Sequence, residues 1–203
     1  MIEALCPAYL PNAEYFSWLL KQNTVFFTGD SLYQKQTFRN RTMIYGANGE
    51  LKLIIPIRHN QKNTKPLDIE IQISYDMKWQ SQHWKSICSS YRSSPFFEFY
   101  EDEIAEFYKE KRESLFMFNL SLLVKLMMLL EEPFEYKIIS FENDIYKRLD
   151  SLITPKIKSQ TIFETYTQVF SSKHGFISNL SILDILFNLG PNSSNYLKNI
   201  SLK

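Results

Sequence analysis

A strand, a short helix and a second strand follow one another within the first thirty residues, and this order restricts the fold most. Ile2-Glu3-Ala4-Leu5-Cys6 is short, apolar and stopped at Pro7, as a buried strand is. Tyr9-Leu10-Pro11-Asn12 reads as a turn, with Asn12 placed to cap a helix from Ala13 to Lys21. Thr24 to Thr28 is the second strand, closed by Gly29-Asp30. Strands joined through a helix run parallel with a right-handed crossover.

The next block changes period. Thr37 to Tyr45 and Leu51 to Ile57 read as strands, with Asn48-Gly49 as a hairpin signal between them. Arg58 to Asp68 is polar, basic and without period, an exposed loop. Ile69 to Ile73 alternates as an edge strand does. Trp79 to Tyr91 is helical, with Trp79, His83, Ile87 and Tyr91 four apart, and Ser93-Ser94-Pro95 breaks it. Glu101 to Lys111 and Glu113 to Leu130 continue the helical run, and Tyr136 to Phe141 is a strand. Ile145 to Leu152 reads as a short helix, and Thr161 to Phe170 fits either type. Ser181 to Leu189 is a helix capped by Asn179 or Ser178 and stopped at Gly190-Pro191.

The expected fold is α/β: a single layered domain with a mostly parallel sheet, a β-hairpin and a helical middle section. The domain covers residues 1–192, and 193–203 is a polar tail that frays. No basic, apolar leader opens the chain. The most apolar run, Leu115 to Leu130, is shorter than the roughly 20 residues a bilayer span needs. No membrane insertion is expected, and the cytoplasm is the default location. Cys6 and Cys88 are far apart, with no CxxC, and read as reduced thiols.

The 23 Lys and Arg against 22 Asp and Glu leave a net charge of +1, so no global field draws nucleic acid. The distribution is less even. Lys21 to Lys65 holds eight cations against two acids, and Phe96 to Ser114 holds seven acids against three cations. A basic region points to an anionic ligand; equally, the acidic helix packs beside the basic strands and neutralises them.

The sharpest local feature is Gln34-Lys35-Gln36-Thr37-Phe38-Arg39-Asn40-Arg41. If it runs into a strand, Arg39 and Arg41 share one face, and two guanidinium forks suit a phosphate or carboxylate. Otherwise it is a solvated basic strand face. Tyr9, Asn12 and Tyr15 flank the carboxyl end of the first strand, where open parallel sheets bind ligands. His83 beside Trp84 and Lys85 is a candidate general base, with Lys85 lowering its pKa, or a partly buried histidine satisfied by backbone. His174 precedes Gly175 in a loop, a more site-like setting, and His59 lies in the basic loop. Asp30, Asp76 and Asp184 are carboxylates suited to acid or base roles, which no motif of the sequence groups together. The run from Ser94 to Tyr100 either stacks a ring or is core. GxGxxG, Walker A, GxSxG and HExxH patterns are missing, so no metal or other cofactor is expected.

Taken in order, Tyr9-Leu10-Pro11-Asn12 with Tyr15-Phe16, and Gln34-Lys35 with Arg39-Asn40-Arg41, resemble the N-terminal signature of the WbqC-like family. Asn48-Gly49, Leu53 to Pro56, Trp79-Gln80, His83, Ser94-Pro95-Phe96-Phe97 and Tyr100 fit the same pattern. So do His174-Gly175-Phe176, Asn179 to Asp184, and Asn188-Leu189-Gly190-Pro191, so the resemblance runs from about Ile2 to Pro191. Phe141 to Thr161 is shorter than in longer members, and Asn12-Ala13 stands where many have an aromatic and a glycine.

The resemblance implies a bacterial transferase of surface polysaccharide (O-antigen type) biosynthesis. The suggested reaction moves an aminoacyl group such as glycine onto a nucleotide-linked amino sugar. Lys35, Arg39 and Arg41 would then hold the anionic moiety, and His83 or His174 would move a proton. Gln34, Asn40, Tyr100 and Asn179 join Tyr9, Asn12 and Tyr15 as substrate-binding candidates. The alternative is a non-catalytic module that binds an anionic ligand, nucleic acid or a partner protein.

Overall fold

Four short strands lie side by side, all parallel, in the order β5-β2-β1-β6. The computed structural model describes residues 2–58, 65–140, 146–155 and 159–202. His59 lies outside these residues. Strand β1 (Ile2–Leu5) leads through helix α1 (Ala13–Leu19) to β2 (Val25–Phe27), as the opening of the sequence requires. Asn12 sits in extended backbone and its side chain accepts from the Tyr15 N–H at 3.0 Å, filling one of the unpaired donors of the first turn. β1 and β2 pair Ala4 with Phe26 and Leu5 with Phe27.

Strands β3 (Arg41–Gly46) and β4 (Gly49–Ile54) form the expected hairpin. The turn residues are Ala47 and Asn48; Gly49, at φ +100°, takes the left-handed position that closes the loop. β3 starts at Arg41 rather than Thr37, because Gln36 is at φ +64° and the chain bends until Asn40. The expected strand at Ile69 to Ile73 is replaced at its start by a 3-10 turn, Asp68–Glu70. Asp68 turns inward and is buried, and Glu70 folds back to accept from the Leu67 N–H at 2.7 Å. Only Gln72 and Ile73 make strand-like bridges, to Ser114 and Ile57.

Helix α2 (Trp79–Tyr91) matches the reading, and its four-spaced row Trp79, His83, Ile87 and Tyr91 is the buried face. α3 (Phe97–Ala105) begins four residues before the expected Glu101 and runs into a 3-10 turn at Glu106–Tyr108. α4 (Leu115–Leu129) follows, capped by Ser114, and Pro133 precedes β5 (Tyr136–Ile138), which pairs with β2. No helix is long and apolar enough to cross a membrane, among the described residues.

The expected helix over Ile145 to Leu152 is instead β6 (Tyr146–Arg148) and a 3-10 turn, Asp150–Ile153. The free edge of β1 decides this: Ile2, Glu3 and Ala4 pair with Tyr146, Lys147 and Arg148. A ladder partner overrides the weak local preference of so short a segment. Residues 161–168 form neither helix nor strand. Side chains hold them: Thr161 donates to Glu14, and Gln168 and Tyr166 donate to Asp184.

A single turn, α5 (Ser171–His174), precedes α6 (Ile182–Leu189). The cap of α6 is Ser181, not Asn179 or Ser178; its hydroxyl accepts from the Leu183 N–H at 3.3 Å. Asn179 instead bonds across to Glu14. Past Asn192 the expected fraying tail is helix α7 (Ser193–Asn199), packed on α1 with Leu197 fully buried. Ser194 and Lys198 both donate to Glu132, which fixes the outer side of this helix.

Gly190 ends α6 at φ +54°, and a Cβ there would meet the Phe96 ring at 2.5 Å. Gly190→Ala is therefore expected to cost about 3 kcal/mol, from the left-handed backbone and the displaced ring together. Gly49→Ala meets open space and is expected to cost only about 1 kcal/mol. Thermal unfolding of the two variants side by side checks the ratio; equal losses would leave the ring contact without weight.

Candidate functional site

The carboxyl ends of all four parallel strands meet on one edge of the sheet, where open α/β sheets bind ligands. Beyond β1 comes Cys6-Pro7, and beyond β6 comes Leu149-Asp150. The loop ahead of β3 drops Arg39 into this edge, and the 3-10 turn at Asp68 meets it from the other side. Arg39 is 1% exposed. Its Nε lies 2.9 Å from Asp68, a terminal nitrogen lies 3.4 Å from Asp150, and another donates to the Thr37 hydroxyl at 3.3 Å. Arg148, the last residue of β6, reaches Asp150 at 2.6 Å and Asp68 at 3.8 Å. Two guanidinium groups and two carboxylates thus form one network.

Asn119 on α4 fixes the backbone beneath it, its amide donating to the Pro7 carbonyl at 3.1 Å and the Arg39 carbonyl at 2.7 Å. The remaining space is a cavity of about 10 Å³ lined by Cys6, Tyr33, Arg39, Asp68 and Asn119 among others, about the size of one water. Burial pushes the Cys6 thiol up and Asp68 adds to this, so Cys6 stays protonated. Burial also raises Asp68, against the pull of Arg39 and Arg148. Burial works against the charge on Arg39, but the carboxylates of Asp68 and Asp150 hold its pKa above the usual value.

Exposure falls across the network. The side chains of Arg39 and Asp68 are closed off, Arg148 is 17% exposed and Asp150 37%. A solute therefore meets Arg148 and Asp150 first. Arg39 and Arg41 do not share a strand face: Arg39 precedes the strand and is buried, while Arg41 opens β3, half-buried, with its Nε unpaired. Gln34 and Lys35 are exposed on the loop before them. No ion pair among the described residues joins the basic segment to the acidic one.

The remaining sequence candidates are scattered. His83 is 5% exposed; its Nδ1 lies 2.9 Å from the Tyr9 hydroxyl, which lies 2.7 Å from that of Tyr108. Burial lowers the His83 pKa to about 4, with Ile54 backbone opposing, so the ring is neutral at pH 7. Burial, rather than Lys85, is the cause. His174 is exposed and its Nε2 lies 3.0 Å from the Ala47 carbonyl, at the hairpin turn. Ile54 pairs with Arg41, six residue steps along the hairpin from Ala47, or roughly 20 Å. The two histidines do not meet in one reacting centre.

Tyr15 is fully buried and donates to the Cys6 carbonyl at 3.2 Å. Asn40 is buried and donates to the Ile55 carbonyl at 2.9 Å. Tyr100 is on the buried face of α3. Asn12 is occupied as a helix cap, and Asn179 by Glu14. Asp76 accepts from Ser74 at 2.7 Å, and Asp184 is fully buried. Sequence reasoning missed Asp68, Arg148 and Asp150. Arg148 and Asp150 fell in a segment read as helical, and Asp68 closed a segment read as loop. The two carboxylates lie 29 and 111 positions from their partner Arg39, which no local pattern records. Among the described residues, no group of three His, Cys, Asp or Glu is placed to hold a metal ion.

The model of the WbqC-like protein family matches residues 6–154 of the 203. The match takes in the sheet edge, from Cys6 to Asp150, and ends before the His174 to Pro191 portion of the resemblance. No curated protein and no solved structure matches the chain.

Proposed function

The chain belongs to the WbqC-like protein family, and on that premise we propose that it is a transferase of bacterial surface polysaccharide biosynthesis. Its substrate in this reading is a nucleotide-linked amino sugar, its product the N-aminoacyl (glycyl) sugar, and its place of work the cytoplasm. The observation that supports the reading is the Arg148–Asp150 pair on the carboxyl edge of the parallel sheet, part-exposed and backed by the buried Arg39–Asp68 pair.

In aminoacyl transfer, the sugar amine attacks the donor carbonyl, the donor's leaving group departs, and the nitrogen sheds a proton. Arg148, with Arg41 and Lys35 on the neighbouring loop and strand, supplies positive charge for the phosphates. Asp150 is the carboxylate on the same rim that can take the proton. Arg39 acts through Asp68 and Asp150 as a positioning residue. His83 lies behind Tyr9 and is neutral, and His174 lies at the hairpin turn, so the rim takes the proton role in this reading.

A thermal-shift screen tests it, with nucleotide sugars, free nucleotides, aminoacyl donors, acyl-CoA and short RNA against the protein and Arg148→Ala. A ligand at about 100 times its Kd adds roughly 2.7 kcal/mol, or about 5–10 °C for a chain this size. The expected result is a shift with a nucleotide sugar that Arg148→Ala loses. The internal neutralisation of Arg39 and the separation of the histidines favour a second reading, a non-catalytic module for an anionic ligand. That reading gains if only RNA shifts the transition, with a steep salt dependence.

A further inference from the structure

Helix α4 is apolar on every side, the pattern of a helix that is covered all round. Its polar side chains are occupied within the chain. Asn119 donates to the Pro7 and Arg39 carbonyls, Ser121 accepts from Arg112 at 2.7 Å, and Lys125 pairs with Glu103. One narrow stripe nevertheless stays uncovered among the described residues. Met117, Val124 and Met128 are 39–57% exposed, with Ser121 half-buried between them. The spacing 117, 121, 124, 128 alternates four and three, the seam along which one helix packs on another. Met117 to Met128 covers roughly 17 Å, three turns of such a partner.

The stripe widens beside α3. Lys125 meets Glu103 and Ser121 meets Arg112, so the chain from α3 to Arg112 runs back along α4. Phe99, one turn before Glu103 and 77% exposed, comes level with Met128. Methionine and aromatic side chains are enriched where proteins dock, and the flexible thioether adapts to its partner's shape.

Carboxylates rim the stripe. Glu113 stands one turn before Met117, Glu131 comes three residues after Met128, and Asp102 and Glu106 flank Phe99. All four are exposed, and none forms an ion pair among the described residues. Arg112 and Lys125, which border the stripe, are already engaged, by Ser121 and the Phe107 ring and by Glu103.

This charge selects the occupant. A second copy laid antiparallel, Met117 on Met128, sets Glu113 of each copy beside Glu131 of the other, and like charges repel at both ends. An anionic lipid surface is repelled in the same way. A helix that carries cations beside its apolar seam is attracted.

We propose that the α3–α4 stripe docks a basic amphipathic helix of a partner protein, about three turns long. Its apolar side chains lie against Met117, Val124, Met128 and Phe99, and its cations face the carboxylate rim. The inference stands on this face alone and does not use the transferase reading.

The probe is a fluorescein-labelled peptide of about 14 leucine and lysine residues, its leucines spaced alternately three and four apart. Fluorescence anisotropy with the full chain is expected to show binding in the micromolar range or tighter. Val124→Glu/Met128→Glu is expected to weaken it at least tenfold at an unchanged melting temperature, since both side chains are exposed. Leu51→Glu adds a carboxylate at an exposed position of the β3–β4 hairpin and is expected to keep the affinity within twofold. Asp102→Asn/Glu106→Gln is expected to make the affinity less sensitive to salt. A peptide with glutamate in place of lysine, and one whose leucines break the spacing, are each expected to bind at least tenfold more weakly. Four results overturn the proposal: no binding of the lysine peptide, equal binding by Val124→Glu/Met128→Glu, a glutamate peptide that binds as tightly, or a dimer in sedimentation that this double variant dissociates, which would give the stripe to a second copy.

Discussion

Asp68→Ala is expected to destabilise the protein by about 3–5 kcal/mol, enough to abolish much of a typical folding free energy of about 5–15 kcal/mol. The variant leaves the Arg39 guanidinium in place, 1% exposed, with the 2.9 Å partner gone. Asp150, at 3.4 Å and already bonded to Arg148 at 2.6 Å, cannot serve both cations as well. Lost yield, or a melting temperature lower by about 10 °C or more, is the expected readout. Arg39→Met/Asp68→Leu removes both charges together, and Arg148 keeps Asp150. It is expected to recover most of the loss, because an apolar pair of similar size needs no solvation. A melting temperature for Asp68→Ala within about 3 °C of the parent would mean that water reaches Arg39. The same argument governs mutagenesis of the site: loss of activity in Arg39→Ala reports folding, whereas Arg148→Ala reports the exposed rim.

The second large effect lies at Asp184 on α6, which is fully buried. Tyr166 donates to its carboxylate at 2.6 Å and Gln168 at 2.7 Å, so it anchors the irregular segment 161–168 to the helix. Burial raises its pKa from 3.8 to about 6, against the hydrogen bonds from Tyr166, Gln168 and Tyr91. A folded-state pKa above the unfolded one means that folding favours the protonated acid. The stabilisation is fully present below about pH 4 and is lost as pH rises through about 6, a swing on the order of 3 kcal/mol. Asp184→Asn keeps the acceptor oxygen and has no charge to bury. It is expected to match the parent at pH 4 and to exceed it in stability at pH 8. Asp184→Ala orphans the Tyr166 and Gln168 donors and is expected to lose several kcal/mol at every pH. Denaturant unfolding from pH 4 to 8 settles the sign; a difference between Asp184→Asn and the parent that does not change with pH would sink the assignment.

The elements that the sequence made legible share one property. Their signal is local and strong: the Asn12 cap, the four-spaced row of α2, the Asn48-Gly49 hairpin, the apolar run of α4. Where the signal was weak, partners decided. Residues 146–148 became a strand because β1 had a free edge. Residues 68–70 became a turn because Asp68 faces Arg39. Residues 193–199 became a docked helix because Leu197 found α1, although their polar composition suggested a tail. The candidate site followed the same division. Arg39 and the carboxyl end of β1 were marked in the sequence, but the carboxylates that neutralise Arg39 were not.

The opening strand–helix–strand order with its parallel β1–β2 pairing, the β3–β4 hairpin and helix α2 were legible in the sequence alone, because each rests on residues close together in the chain. Which charges remain available to a ligand was settled only by the tertiary structure. That depends on pairing between residues as far apart as Arg39 and Asp150 and on how much water each keeps. Arg39, the most conspicuous cation of the sequence, is closed off by Asp68. Arg148, which the sequence left unremarked, keeps part of its surface in water at the same edge.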